Sequence, residues 1–191
     1  VVNGLSDFVH PFQALADLFT IDEHFGRLKG LTLAYIGDGN NVLHALMQAC
    51  AMLGVHLCVA TPAGYRPDAT LWRAMNRRAA AGGARFRWMS DPRQAARGAD
   101  VLYTDVWVSM GKEAERRARR RAFRGYQVNE RLLALASRGC RVMHCLPAHR
   151  GEEITDDVLD GPRSLILEQA ENRLHVQKAL LAMLLGRGRS R

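Results

Sequence analysis

The sequence predicts an open, doubly wound α/β fold, a parallel sheet with helices on both faces. Two observations carry that expectation. From about residue 30 onward, short apolar runs alternate with longer stretches whose apolar residues recur at helical spacing. No internal repeat or low-complexity linker interrupts the alternation.

Taken in order, residues 31–36 read as a buried strand stopped by Gly37-Asp38-Gly39. Residues 41–53 place Val42, Leu46, Ala49 and Leu53 on one helical stripe, and Gly54 ends it. Residues 55–60 form a second strand closed by Thr61-Pro62. A helix over 69–81 stops at Gly82-Gly83, and 85–89 is a short strand. Asp91-Pro92 then opens a short helix, with Asp as cap and Pro at its first position. Beyond it come a strand at 101–104, a helix at 129–137, and strands at 142–146 and 164–167.

The two ends stand outside this alternation. Residues 10–25 predict an amphipathic helix with Phe12, Leu15, Leu18 and Phe19 along one stripe. Residues 171–185 predict a closing helix, and its 179–185 stretch is apolar on every face, a pattern that calls for burial, expected here against a domain that these residues do not include. The chain therefore divides into a leading segment 1–24, an α/β domain 25–170, and a closing helix with basic tail 171–191. The opening Val1-Val2-Asn3-Gly4 shows no basic leader of a secretory signal, and its lack of Met reads as a start inside a longer chain.

Composition removes several function classes. With 191 residues, 48% of them apolar, the chain can bury a sizeable core. No apolar run nears the ~18 residues that span a bilayer, so no membrane role is expected. The net charge of +8 comes from arginine, scattered along the chain apart from runs at 116–121 and in the tail 187–191. No aromatic residues interleave with these runs, so they read as a solvated helix face and tail rather than a nucleic-acid surface. Cys50, Cys58, Cys140 and Cys145 show no C-x-x-C pair or zinc spacing, which points to reduced thiols in the cytoplasm.

Ligands of open α/β sheets bind beyond the carboxyl ends of the strands, so the loops there carry the chemistry. Gly37-Asp38-Gly39-Asn40-Asn41 lacks the third glycine of a dinucleotide loop, because position 42 is Val42. Its paired amides at a helix start suit a carboxylate, though one of them is expected simply to cap the helix. In Asp105-Val106-Trp107-Val108-Ser109-Met110-Gly111, the Asp at a strand end either holds an ammonium or caps the next turn. In His144-Cys145-Leu146-Pro147, a thiol in a basic loop is a candidate for a lowered pKa. Strand alternation turns His144 away from Cys145, and no third ligand at metal spacing is present. Spacing alone yields a polar, partly cationic cleft.

The strings themselves go further. Together Asn3-Gly4-Leu5-Ser6-Asp7, His10-Pro11-Phe12-Gln13, Leu15-Ala16-Asp17, Gly37-Asp38-Gly39-Asn40-Asn41, Ala60-Thr61-Pro62, Tyr126-Gln127-Val128-Asn129 and Ala170-Glu171-Asn172-Arg173 resemble the ornithine carbamoyltransferases. The D-x-x-x-S-M-G loop at 105–111, followed by H-C-L-P at 144–147, separates those enzymes from the aspartate enzymes of the same superfamily.

The resemblance implies carbamoyl transfer from carbamoyl phosphate to the δ-amine of L-ornithine, with no cofactor and no metal. It implies that His10 and Gln13 hold the carbamoyl group and that Arg173 adds charge at its oxygen and the phosphate. Asn41, Asp105, Ser109 and Met110 would bind the amino-acid end of ornithine. Cys145, with backbone groups of Cys145 and Leu146, would flank the reacting atoms, the thiol orienting substrate rather than attacking it. The family's S-x-R-T phosphate motif does not occur in these residues. The chain thus resembles the ornithine-binding half of an enzyme expected to be a homotrimer, and is expected not to turn over by itself. The competing expectations are a putrescine carbamoyltransferase and a non-catalytic amino-acid-binding module.

Overall fold

The computed structural model describes residues 1–109 and 111–186. Five strands form one all-parallel sheet in the order β3-β2-β1-β4-β5: β1 (Thr32–Ile36), β2 (His56–Ala60), β3 (Phe86–Met89), β4 (Val101–Thr104) and β5 (Arg141–His144). β1 and β4 are buried at almost every position, as central strands covered on both faces must be. Successive β1 residues serve different cores. Leu33 and Tyr35 pack with Leu18, Ile21, Leu43, Leu46 and Met47 on one face. Ala34 and Ile36 pack with Leu102, Phe123, Val128, Leu132 and Val158 on the other.

The helices of the first face are α1 (Pro11–Phe25), α2 (Asn41–Leu53) and α3 (Ala69–Ala81). The short helices α4 (Pro92–Ala96), α5 (Arg116–Ala122), α6 (Glu130–Leu133) and α7 (Asp156–Leu159) serve the second, and α8 (Ile166–Leu185) returns beside α1. Local chemistry sets the helix starts. Asn40, Asp68, Asp91 and Asn129 each accept backbone N–H bonds from the first turn that follows them.

This topology fixes where a ligand can sit. After β3 the chain crosses to the far side of β1, so the winding reverses between β1 and β4. Ile36 is in register with both Ala60 and Thr104, and Thr104 with His144. The loops after β1, β4 and β5 therefore open on one crevice at the switch point. Gly39 allows a close crossing there, since a Cβ on it would lie 2.3 Å from the carbonyl carbon of Arg66.

Three expectations are corrected. Residues 164–167 are not a strand: Ser164 makes one bridge to Val142, and α8 already begins at Ile166. A short aliphatic run has no period of its own to separate strand from helix. The helix expected over 129–137 is a single turn followed by turns. The apolar 179–185 stretch is exposed among the described residues, with Met183 at 79% and Leu185 at 75%. Finally, Arg119 of the basic run is buried, not solvated. The tail 187–191 lies outside the described residues. Among those described, no helix is long and apolar enough to cross a membrane.

Candidate active site

A cleft of about 1180 Å³ opens at the switch point. His10, Gln13, Asn41, Asp105, Ser109, Cys145, Leu146 and Arg173 all line it, so the candidates scattered along the sequence meet in one place. Met110, the remaining candidate, lies outside the described residues.

One wall is made by the strand-end loops. Asn40 caps α2, its Oδ1 accepting from the N–H groups of Val42 and Leu43 and from the Tyr35 hydroxyl. With the oxygen committed, the Asn40 amide nitrogen is left to donate, and it does so to Asp105 Oδ2 at 2.6 Å. Asp105 Oδ1 accepts from the Val106 N–H at 2.7 Å and from the Cys145 thiol at 3.0 Å. Asp105 thus accepts the N–H of the residue that follows it while its carboxyl lines the cleft. Asn41, the second amide, donates to the Ser6 carbonyl at 2.8 Å and ties the leading segment to this wall.

The opposite wall is helical. Arg173 of α8 donates to Gln13 Oε1 and, at 3.3 Å, to His10 Nε2. The His10 Nδ1–H donates to the Gly4 carbonyl, which leaves Nε2 as the acceptor. Burial, then the nearby Arg173 charge, lowers the His10 pKa and favours that neutral ring. Gln13 is oriented from behind. Its Nε2 donates to Asp17 Oδ1 at 2.7 Å, and Gln169 Nε2 donates to the same oxygen at 2.7 Å. The Tyr103 hydroxyl donates to Asp17 Oδ2 at 2.9 Å. Asp17 is fully buried, and burial pushes its carboxyl up to about 7 despite these three bonds.

The sequence expectations for the 144–147 loop are corrected in two respects. Burial, reinforced by the Asp105 carboxyl, raises the Cys145 thiol well above its ordinary value. The lowered pKa that a basic loop allows is thus not found, and the thiol stays protonated. His144 also lies closer than strand alternation implies, because β5 ends at His144 and Cys145 already belongs to the loop. Asp105, His144 and Cys145 each offer a ligand atom within 4.8 Å of the others. Both ring nitrogens of His144 are already in hydrogen bonds, to the Leu146 N–H and to Glu153.

Sequence reasoning assigned no role at the site to several further residues. Asn40 looked like a plain cap. Asp17, Tyr103 and Gln169 come from three distant segments. Arg119 reaches across to Asp38 at 2.6 Å and to the Trp107 carbonyl at 3.0 Å, anchoring α5 beside the 105–111 loop. Burial raises Asp38, and the Arg119 charge opposes that rise.

Comparison with known proteins agrees with this geometry. The family described as "Aspartate/ornithine carbamoyltransferase, Asp/Orn binding domain" matches residues 29–184. An ornithine carbamoyltransferase of Gloeobacter violaceus is 55% identical over 186 residues, covering 97% of this chain and 59% of that protein. One from Acidothermus cellulolyticus is 60% identical over 193 residues, covering 98% of this chain and 62% of that protein. The solved ornithine carbamoyltransferase of Pyrococcus furiosus superposes with a TM-score of 0.92 at 54% identity, over 97% of this chain and 59% of that one. The chain spans about three fifths of the length of the curated relatives it matches.

Proposed function

Because the chain belongs to the aspartate/ornithine carbamoyltransferase family through its Asp/Orn binding domain, we propose that it supplies the amino-acid side of a carbamoyl-transfer site. The reaction moves the carbamoyl group of carbamoyl phosphate to the δ-amine of L-ornithine, giving L-citrulline and phosphate. One observation carries this reading: a carboxyl–thiol pair on one wall of the cleft faces an arginine–amide–imidazole set on the other.

The neutral δ-amine attacks the carbonyl carbon, the C–N bond forms, and the bond to the phosphate oxygen breaks. An amine proton leaves during the transfer and ends in bulk solvent or on the phosphate. Chemistry of this kind asks for alignment and for positive charge where oxygen gains electrons. Arg173 supplies that charge. Gln13 Oε1 and His10 Nε2, the acceptors that hold Arg173, suit the amide hydrogens of a carbamoyl group. Asp105 and Ser109 take the α-ammonium of ornithine, with Met110 beside them, and Asn41 takes its carboxylate. The Cys145 thiol and backbone groups of Cys145 and Leu146 flank the reacting amine. On the same reading, residues 1–24 and the exposed end of α8 meet the portion of the relatives that lies outside this chain. The longer protein acts as a homotrimer in the cytoplasm, which suits four free thiols.

The test is an NMR titration of the chain with L-ornithine and, in parallel, putrescine. Amide shifts at Asn41, Ser109 and Cys145 with ornithine alone are expected, and Asp105→Ala is expected to abolish them. Equal responses to both amines would overturn the assignment of the amino-acid end.

A further inference from the structure

Among the described residues, Leu146 is the one non-glycine position with a left-handed backbone, at φ 57°. A leucine in that region is disfavoured by the close approach of its Cβ to the following carbonyl oxygen, so its surroundings must hold it there. The Leu146 N–H donates to His144 Nδ1 at 2.9 Å. A ring nitrogen that accepts an N–H carries a lone pair, so the His144 proton resides on Nε2. That Nε2–H in turn donates to Glu153 Oε1 at 3.1 Å. The same Glu153 oxygen accepts from the His149 N–H, which closes the far end of the loop. The His144 and Glu153 side chains are wholly buried, so water cannot replace either bond. The second Glu153 oxygen is buried without a hydrogen-bond partner, with His149 Nδ1 3.9 Å away. This carboxyl therefore stays buried although its hydrogen bonds use only one oxygen.

We propose that Glu153 is a positioning residue for the cleft: it fixes His144 as the Nε2–H tautomer, and through the Nδ1 of that ring it holds the Cys145–Leu146 backbone in place. The opposite tautomer, or a doubly protonated ring, would set a hydrogen against the Leu146 N–H and release the left-handed turn. The loop's consequence for ornithine rests on the function proposed above, whereas the clamp itself does not. Cys145, held on its other side by Asp105, is the residue whose thiol direction depends on this backbone. Glu153 touches no substrate on this account and acts only through His144 and the loop.

The experiment uses the full chain, with ring-nitrogen NMR of His144, amide exchange of Leu146 and L-ornithine titration. In the unmutated chain His144 is expected as the Nε2–H tautomer at neutral pH. In Glu153→Ala, Leu146 exchange is expected to rise about tenfold or more, and the L-ornithine Kd to rise about tenfold, the worth of one buried hydrogen bond. Glu153→Gln keeps the acceptor oxygen and is expected to restore both to within about twofold, whereas Glu153→Met, which fills similar space without an acceptor, is expected not to; equal rescue by both would assign the effect to packing and overturn the proposal. A proton on His144 Nδ1 in the unmutated chain, or unchanged Leu146 exchange in Glu153→Ala, would overturn the proposal. If Glu153→Ala does not fold, the His144 tautomer in the unmutated chain and in Glu153→Gln decides the matter. An unmutated chain that ignores ornithine would count against the function reading alone, because tautomer and exchange still report on the clamp.

Discussion

The two walls of the cleft are held by carboxyls with similar partners and different settings. On the helical wall, Asp17 is sealed among Gln13, Gln169 and Tyr103, and it orients Gln13 from behind without lining the cleft itself. On the loop wall, Asp105 also accepts three hydrogen bonds, from Asn40, Val106 and Cys145, yet it stands in the cleft where a ligand can reach it. One carboxyl has become part of the frame and the other part of the site. Hydrogen-bond number does not separate them; access does.

The widest separation between the walls should appear in pH dependence. Asp17 titrates at about 7 when folded, against an ordinary value of 3.8. Its folded pKa is raised, so its contribution to stability is fully present below 3.8 and is lost as pH rises through about 7. The shift corresponds to about 4 kcal/mol over that window. Denaturant unfolding at a series of pH values should show the decline, and Asp17→Asn should flatten it. An unchanged slope in that variant would remove Asp17 as its source.

A smaller effect is expected on the loop wall, in binding rather than in folding. Asp105→Ala should weaken L-ornithine about 100-fold, ~2.7 kcal/mol, as loss of a charge-assisted contact requires, and should leave the pH slope in place. Calorimetric titration measures it, and a change below threefold would place the ammonium elsewhere.

Asn40 tests whether the loop wall depends on its cap. Asn40→Ala removes the bonds to Val42 and Leu43 and should lower stability by about 1 kcal/mol. Thermal melting reads the change. The smallest expected effect lies at the far end of α8, where Met183→Gln should alter stability by less than about 0.5 kcal/mol, because that side chain is exposed. A larger loss in the same melting assay would mean that this end packs against something in solution.

Much of the frame was legible because it follows local rules. Gly54 and Asp91 mark helix ends by chemistry that involves only near neighbours. The candidate residues on the loops were legible for a related reason, since polar residues gather after apolar strands in this class of sheet. Glu153 was not legible. It follows Glu152 directly, yet Glu152 pairs at the surface with Arg116 and Arg120 while Glu153 is buried against His144. Arg119 was hidden in the same way, as one arginine in a run whose neighbours are solvated.

The sequence by itself determined the alternation of strands and helices, the turns that end them, and the strings that resemble one enzyme family. Periodicity and capping act over a few residues, so they survive being read along a line. Only the tertiary structure decided which carboxyl is sealed and which is offered to a ligand. Asp17 meets Tyr103 and Asp105 meets Asn40 across gaps of 86 and 65 residues. Those meetings depend on the crossing that sets β4 beside β1, and a period of two or of 3.6 residues carries no record of strand order.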